Sequence, residues 1–265
     1  MEGKRHMETE RGVPFTEDYV KKCLYLAMSI GEEMLIAGAE VHRVEDSISR
    51  ICYAYGMERV DVLTITTSIV TTVYGEGFGS VTQTRRIKEQ SYHLERLEEL
   101  NSLSRLICEK KPELWQAEQA LAGCCRQKKQ AWWEQLIVYA SISGGFTLFF
   151  GGNALDALAS LLIGILMKMS EMILEKLQMN RLLFNFLRAA VGGILAECLI
   201  GIGLGMHFDK ITIGNIMLLT PGVAMTNSLR DMFGGELITG LLRFAESMLV
   251  AITIALGFAA VSVLL

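Results

Sequence analysis

Residues 216–231 have the sequence IMLLTPGVAMTNSLRD, and they continue an apolar run that begins near Ile211. A helix that spans a bilayer needs roughly 20 residues, so a helix starting at Ile211 would reach Pro221 and Gly222 about halfway across. Proline lacks a backbone donor and clashes with the preceding turn, whereas glycine leaves helical geometry easily. The sequence therefore predicts a helix that is broken inside the membrane.

A break at that depth exposes backbone polar groups that only protein or a water-filled cavity can satisfy. Transporters commonly hold substrate and coupling ions at such broken helices. Asn227, Arg230 and Asp231 follow about one turn later, with Asn227 and Asp231 on one helical face. The pattern favours a substrate pathway at this point. The alternative is an ordinary proline kink followed by a charged loop.

Charge is distributed unevenly along the chain. Residues 1–135 carry most of the charged side chains, and residues 136–265 are almost continuously apolar, in a chain that is 51% hydrophobic. This asymmetry predicts a soluble domain followed by a membrane domain. The net charge of −4 gives no indication of a nucleic-acid partner. The first residues are polar and lack the apolar core of a signal peptide, so we expect the soluble half to remain in the cytosol.

The predicted fold class is an α-helical integral membrane protein with about five transmembrane helices, preceded by a small cytosolic α+β domain with a β-hairpin. We expect a disordered N-terminal lead over residues 1–14, the α+β domain over residues 15–131 and the transmembrane domain over residues 132–265.

The α+β domain is predicted to begin with two helices. Thr16 is placed to cap the first, which ends near Gly38, and the second runs from about Ala39 to Tyr55. Both repeat apolar residues at helical spacing. The predicted buried positions are Val20, Cys23, Leu24, Ala27, Ile30, Met34, Val41, Val44, Ile48, Ile51, Cys52 and Tyr55.

Val, Ile and Thr fill most positions from Val60 to Val73, and such β-branched residues favour a strand. Gly75–Gly79 predicts a turn, and residues 80–88 return as the second strand of a hairpin. Two strands alone are marginally stable. We therefore expect helices over about 91–109 and 113–129 to cover them.

The second helix also carries a charged face. Its members are Glu40, His42, Arg43, Glu45, Asp46 and Arg50. Spacings of three and four residues predict ion pairs along this face. His42, Glu45 and Asp46 could also be imagined as metal ligands or as an acid/base group, but no matching ligand motif occurs elsewhere. We expect a solvated, salt-bridged face with no metal, no cofactor and no catalytic residue.

Five apolar segments predict five spans, at about 136–152, 154–169, 182–206, 211–229 and 240–265. Positive residues concentrate on one side of the predicted membrane. They are Arg126, Lys128, Lys129, Lys168, Lys176, Arg181, Arg230 and, just inside the fifth span, Arg243, whereas the opposite side has only Lys210. Since positive loops stay inside, we expect the N-terminus in the cytoplasm and the C-terminus outside.

Several ionisable residues fall within these spans. They are Asp156, Glu171, Arg188, Glu197, Asp209, Arg243 and Glu246. Arg243 and Glu246 lie three residues apart, so we expect them to pair on one helix face. Glu197 lies mid-span between Gly193 and Gly201, where close helix packing would bury it. Glu197 and Glu246 are the candidates for proton coupling. Alternatively, Glu197 only hydrogen-bonds to a neighbouring helix.

Three features together resemble the bacterial threonine/serine exporter family. They are the motif GAEVHRVED at residues 38–46, the threonine-rich hairpin, and TPG at residues 220–222 followed by NSLRD at residues 227–231. The resemblance extends from about Phe15 to Leu265. It implies a cytosolic N-terminal domain before about ten membrane helices, which some members divide between two proteins. With about five predicted helices, this chain is similar to the larger protein of such a two-component exporter.

The resemblance implies proton-driven export of threonine, serine or another small carboxylate such as succinate, by a secondary transporter of the bacterial inner membrane rather than by an enzyme. It also implies a second small membrane protein as partner. Five helices are few to enclose a path, so we expect a homo-oligomer as well.

The matching motif positions are Glu40, Arg43, Glu45, Asp46, Pro221, Gly222, Asn227, Arg230 and Asp231. Arg230 or Arg243 would meet a substrate carboxylate, because an arginine fork binds carboxylates bidentately, and Asn227 would orient the substrate. Two alternatives remain: a membrane-anchored cytosolic enzyme or scaffold with a hydrolase-like role, and a channel.

Overall fold

A computed structural model describes residues 16–76, 78–88, 91–126, 131–177 and 179–264 of the chain. These residues form two compact units. The first unit contains the described residues up to 126 together with Thr226–Arg243, and the second contains the described residues from 131 to Met225 together with those from Phe244 onward. The predicted disordered lead over residues 1–14 lies outside the described residues.

The first unit begins with two helices, α1 (Glu17–Ile36) and α2 (Val41–Ala54). The side chain of Thr16 accepts a hydrogen bond from the backbone N–H of Tyr19 at 3.3 Å, which confirms the predicted cap. Gly38 has a φ of +93°, a conformation that residues with a Cβ rarely adopt, and it separates the helices as predicted. The second helix begins two residues later than expected.

The predicted apolar faces of α1 and α2 form the core of the first unit. All twelve predicted positions are buried: Val20, Cys23, Leu24, Ala27, Ile30, Met34, Val41, Val44, Ile48, Ile51, Cys52 and Tyr55. Burial raises the pKa of the Cys23 and Cys52 thiols to about 12, so both stay protonated and unreactive at neutral pH.

The predicted hairpin is wrong in one respect, because the β-rich segment folds into three strands. They are β1 (Arg59–Ile65), β2 (Ser68–Gly75) and β3 (Gly79–Arg86), paired antiparallel in that order. The expected single strand over Val60–Val73 turns back at residues 66 and 67, so that Ile65 pairs with Ser68. Both turn residues are threonines, and the segment therefore lacks the Gly, Asn or Pro that normally marks a turn.

Two helices complete the first unit before residue 126, namely α3 (Leu94–Lys110) and α4 (Leu114–Cys124). Leu100 and Ile107 of α3 are fully buried in the core, and Ala117 of α4 joins them. The helices predicted for about 91–109 and 113–129 are thus present, although part of the second prediction falls at residues outside the described ranges.

The later helices are α5 (Trp132–Phe149), α6 (Ala154–Leu174), α7 (Arg181–Gly201), α8 (Phe208–Leu219), α9 (Gly222–Phe233) and α10 (Leu237–Leu264), and a 3-10 turn follows α6 at Glu175–Leu177. Within the described ranges, three segments are long and apolar enough to cross a membrane: Ala154–Leu177, Arg181–Gly201 and Leu237–Val263. The chain is therefore a largely helical protein with three candidate spans and a small antiparallel sheet.

The predicted break in the apolar run is present between α8 and α9. Thr220 is extended, with φ −62° and ψ 129°, as expected for the residue before a proline. The helix resumes at Gly222. Two short helices of 12 residues each therefore replace one continuous helix.

Gly38→Ala tests the turn between α1 and α2. A Cβ at Gly38 would lie 2.6 Å from a ring carbon of Tyr92, and the positive φ adds backbone strain. We expect a loss of about 1–3 kcal/mol in the free energy of unfolding, seen as a lower thermal midpoint of the purified full-length protein.

Gly123→Ala is the matched control for Gly38→Ala. Gly123 lies in α4, and a Cβ added there would have nothing within 4 Å of it, so we expect an unchanged or slightly higher midpoint. Equal midpoints for the two variants would contradict the interpretation of Gly38.

Candidate functional site

The candidate site is built around the turn between α1 and α2, residues 37–40, which we call the α1–α2 turn. It contains the start of GAEVHRVED at residues 38–46, which we call the first motif. Ala37 and Ala39 are buried, so the polar groups of the turn need partners inside the protein. Those partners come from residues 227–243, about 190 positions further along the chain.

Asp231 and Arg243 form a buried ion pair at the centre of this site. Asp231 Oδ2 lies 2.8 Å from Arg243 Nη1, and the side chains are only 1% and 6% exposed. Asp231 Oδ1 accepts a hydrogen bond from the N–H of Val41 at 3.3 Å, and Arg243 Nη1 donates to the carbonyl of Ala39 at 3.3 Å. The position of the Asp231 carboxylate beside Val41, the first residue of α2, is favourable, because the N-terminus of a helix carries partial positive charge.

We call TPG at residues 220–222 together with NSLRD at residues 227–231 the second motif, and two further residues of it contact the same turn. Asn227 donates from Nδ2 to the carbonyl of Gly38 at 3.2 Å. Arg230 Nη1 lies 2.5 Å from Glu40 Oε1, and Arg43 Nε approaches the other carboxylate oxygen of Glu40 at 3.8 Å. The side chain of Arg230 is 59% exposed, so water screens this pair more than the buried one.

The two motifs of the sequence therefore meet in one place. Asn227, Arg230 and Asp231 all contact residues 38–41 of the first motif, and Arg243 joins them from α10. We call this arrangement the clamp. In it, the amide of Asn227, the carboxylate of Asp231 and the guanidinium of Arg243 hold backbone groups at the start of α2.

The rest of the first motif is divided between two environments. Glu45 is half-buried, and its carboxylate accepts a hydrogen bond from the N–H of Thr64 at 2.7 Å. Burial raises the pKa of Glu45, the Thr64 hydrogen bond opposes this rise, and nearby Glu236 adds to it. His42 is exposed, and Asp46 pairs with Arg50 at 2.8 Å on the outer face of α2, as predicted.

His42, Glu45 and Asp46 are therefore not gathered into one acid/base group. In the described part of the chain, no group of three or more His, Cys, Asp or Glu residues is arranged to hold a metal ion.

The expected pair of Arg243 with Glu246 is wrong. Arg243 pairs with Asp231, while Glu246 Oε1 lies 2.9 Å from Arg181 Nη1 of α7, with both side chains more than half exposed. Helical spacing predicts which side chains can meet within one helix, but it carries no information about partners on other helices. A buried carboxylate is also the stronger partner for an arginine that is itself buried.

Glu197 lies on α7 and is half-buried. The structure records no hydrogen bond or ion pair between it and another described residue. Gly193, one turn earlier, allows close packing, since a Cβ there would lie 3.1 Å from Val261 of α10. Pro221 and Gly222 lie at the break between α8 and α9.

Sequence reasoning missed two polar clusters in the second unit. Buried Asp156 accepts hydrogen bonds from the N–H groups of Met206 and His207 at 2.7 and 3.1 Å, so it joins the start of α6 to the loop before α8. Glu171 and Arg188 pair at 2.7 Å across two helices. Their charge within apolar segments was the available signal, but sequence spacing does not reveal which helices meet.

Comparison with known families identifies a family model that covers most of the chain. A family model, ThrE, described as "Putative threonine/serine exporter", matches residues 25–265. The match spans both motifs and both structural units. No curated protein and no solved structure matches the chain.

Arg243→Gln tests the buried ion pair. The substitution leaves the Asp231 charge buried without its partner, so we expect a loss of about 3–5 kcal/mol in the free energy of unfolding. Arg50→Gln is the control, because its pair with Asp46 has the same 2.8 Å separation but is largely exposed. That control should lower the free energy of unfolding, measured with denaturant, by less than about 1 kcal/mol. Similar losses for both would contradict the central role of the buried pair.

Glu45→Gln tests the raised pKa of Glu45. A carboxyl whose pKa is raised by folding stabilises the folded protein below its ordinary pKa, and this contribution is lost as the pH rises through the raised value. Glutamine keeps an oxygen acceptor for Thr64 and does not titrate. We therefore expect the thermal midpoint of the variant to rise relative to that of the wild type as the pH increases from about 4 to about 7. A difference that does not change with pH would contradict this assignment.

Proposed function

We propose, because the chain belongs to the threonine/serine exporter family, that it is a subunit of a proton-coupled exporter of threonine, serine or another small carboxylate. The convergence of the two motifs on the α1–α2 turn carries this proposal. These motifs are the residues by which the chain resembles the family, and they form one site in the fold.

A transport role agrees with the family and with the helices. The family is one of transporters, and the described chain contains three segments that could cross a membrane. The rival function, a membrane-anchored enzyme or scaffold, relied on the charged face of α2. Asp46 of that face is paired with Arg50 and Glu45 is bonded to Thr64, so neither residue supports a hydrolase-like role.

We propose five spans, with α5 and the broken α8–α9 segment added to the three apolar helices. The positive residues before α5 and between α6 and α7 support an N-terminal α+β domain in the cytoplasm and a C-terminus outside, in the bacterial inner membrane. Broken helices are tolerated in membranes where protein or a cavity satisfies their backbone, which supports α8–α9 as part of the path.

Five helices expose several charged side chains and are few to enclose a path. A second small membrane protein would supply further helices, and self-association would close the assembly. In this arrangement the α+β domain acts as a gate or an assembly domain rather than as a catalyst.

We assign the substrate pathway to the break at Pro221 and Gly222 and to the polar residues that follow it. Those residues are Asn227, Arg230, Asp231 and Arg243. Because their contacts hold the α1–α2 turn, substrate would reach them only when the clamp opens. Glu197 and Glu246 are the proposed proton carriers, since both are carboxylates on membrane helices.

Flux across proteoliposomes tests the proposed function. The chain is reconstituted alone and with the small membrane protein proposed as its partner, and efflux of labelled threonine, serine and succinate is measured under an imposed pH gradient. We expect efflux against the substrate gradient with the partner present. Flux that only follows the substrate gradient would indicate a channel, and no flux of any of the three would contradict the exporter.

Glu197→Gln tests the proton carrier. The amide cannot carry a proton as a carboxylate does, so we expect pH-driven efflux to fall to the background while assembly, judged by gel filtration, is unchanged. Glu175→Gln removes an exposed carboxylate after α6 and should retain full flux. Unchanged pH-driven flux in Glu197→Gln would remove this residue from the mechanism.

A further inference from the structure

Four polar side chains from three helices meet within the second unit, and we call them the Arg188 cluster: Tyr139 of α5, Lys168 and Glu171 of α6, and Arg188 of α7. Glu171 Oε2 accepts from the Tyr139 hydroxyl at 2.6 Å and from Arg188 Nη2 at 2.7 Å, and Glu171 Oε1 accepts from Lys168 Nζ at 3.2 Å. Lys168, Glu171 and Arg188 belong to two of the candidate spans.

The Arg188 cluster holds more positive than negative charge. Lys168 and Arg188 contribute two cations, Glu171 contributes one anion, and each of these three side chains is 12% exposed. Burying a charge without a partner is costly, and intramembrane ionisable residues mark substrate or ion paths by default. Lys168 and Arg188 therefore share one carboxylate between them, and a ligand carboxylate would give these two cations a second one.

Arg188 also has unused hydrogen-bonding capacity. Its Nη2 makes the contacts with Glu171 and with the Tyr139 hydroxyl, whereas its Nε is buried and has no hydrogen-bond partner among the described residues. Buried donors without partners are rare in proteins. An arginine fork fits a carboxylate with two parallel hydrogen bonds, so a ligand carboxylate would pair with the guanidinium and accept from this donor.

The neighbouring packing fixes the cluster in place. A Cβ at Gly164 would lie 2.6 Å from the carbonyl oxygen of Tyr139, so this glycine lets α5 and α6 approach closely. The Lys168 ammonium lies 5.0 Å from the centre of the Tyr139 ring, and the Arg188 guanidinium lies 5.3 Å from that of Phe184. Aromatic faces attract both cations and limit their movement.

We propose that the Arg188 cluster binds the charged backbone of an α-amino acid, with the carboxylate on Arg188 and Lys168 and the ammonium on Glu171. This inference rests on the proposed export function and assigns its substrate a site. The ligand would insert between groups that now pair with one another. Lys168 and Arg188 would exchange Glu171 for the ligand's carboxylate, and Glu171 would exchange these two cations for the ligand's ammonium.

The composition of the cluster distinguishes an amino acid from a dicarboxylate. Threonine and serine carry one charge of each sign, so their carboxylate can pair with Lys168 and Arg188 while their ammonium pairs with Glu171. Succinate carries two negative charges, and Glu171 would repel the second of them. The Tyr139 hydroxyl adds a neutral partner. The cluster therefore favours an α-amino acid over a dicarboxylate.

The position of the cluster suits loading from the cytoplasm in the proposed orientation. Glu171 is three residues before the end of α6, and Arg188 is seven residues after the start of α7, or about 10 Å along the helix. The loop between these helices carries the positive residues that place it on the cytoplasmic side.

Binding to the purified full chain in lipid nanodiscs tests this site, with labelled L-threonine, L-serine and succinate as probes. We expect the wild type to bind both amino acids more tightly than succinate. Glu171→Gln should weaken threonine binding roughly tenfold or more and shift the preference towards succinate, because it removes the negative partner. Arg188→Lys keeps the charge but loses the fork, and it should weaken threonine and serine binding as well.

Lys176→Gln is the control, since Lys176 is an exposed cation in the same connection, and it should bind like the wild type. A purely structural cluster would not change the ratio of threonine to succinate affinity. Wild-type affinities in both Glu171→Gln and Arg188→Lys, or a wild type that prefers succinate, would overturn the site. Export with unchanged KM in these variants would overturn the site while keeping the exporter, whereas absence of export by the wild type would remove the exporter itself.

Discussion

The buried ion pair between Asp231 and Arg243 is the interaction on which the first unit depends. Removing two charges from water costs several kcal/mol for each ion, and the structure offsets this cost by satisfying both groups at once. Asp231 accepts from Val41 and Arg243 donates to Ala39, so the pair also binds the backbone where α2 begins. Residues 226–243 therefore fold with the N-terminal helices rather than with their neighbours in sequence.

The clamp joins the two family motifs, because residues of the second motif bond to the turn at the start of the first. The first motif supplies a tight turn with two buried carbonyls and a helix N-terminus. The second motif supplies the amide of Asn227 and the carboxylate of Asp231, and Arg243 of α10 adds the guanidinium. The second motif contains the Thr220–Pro221 break, and the residues that hold the turn follow that break within the same motif. Under the proposed function, this continuity of the chain would connect the proposed cytosolic gate to the proposed substrate path.

The sequence predicted features that depend on local signals. Thr16, Gly38 and Pro221 each act within a few residues, and the buried faces of α1 and α2 follow from helical spacing. The turn at residues 66 and 67 was missed because two threonines resemble the strand around them. The partner of Arg243 was missed because Asp231 belongs to another helix. The Arg188 cluster was missed for the same reason, since Tyr139 and Arg188 are 49 residues apart. Pairing between helices depends on packing, which spacing along one element does not encode.

Amide hydrogen exchange at the start of α2, measured on the full-length protein, is the most direct test of the clamp. Asp231→Ala removes the acceptor of the Val41 N–H, and the amides of the first turn of α2 should then exchange faster than in the wild type. Asp46→Ala removes an exposed carboxylate from the same helix and should leave those rates unchanged. Unchanged exchange in Asp231→Ala would contradict the claim that the second motif holds the first.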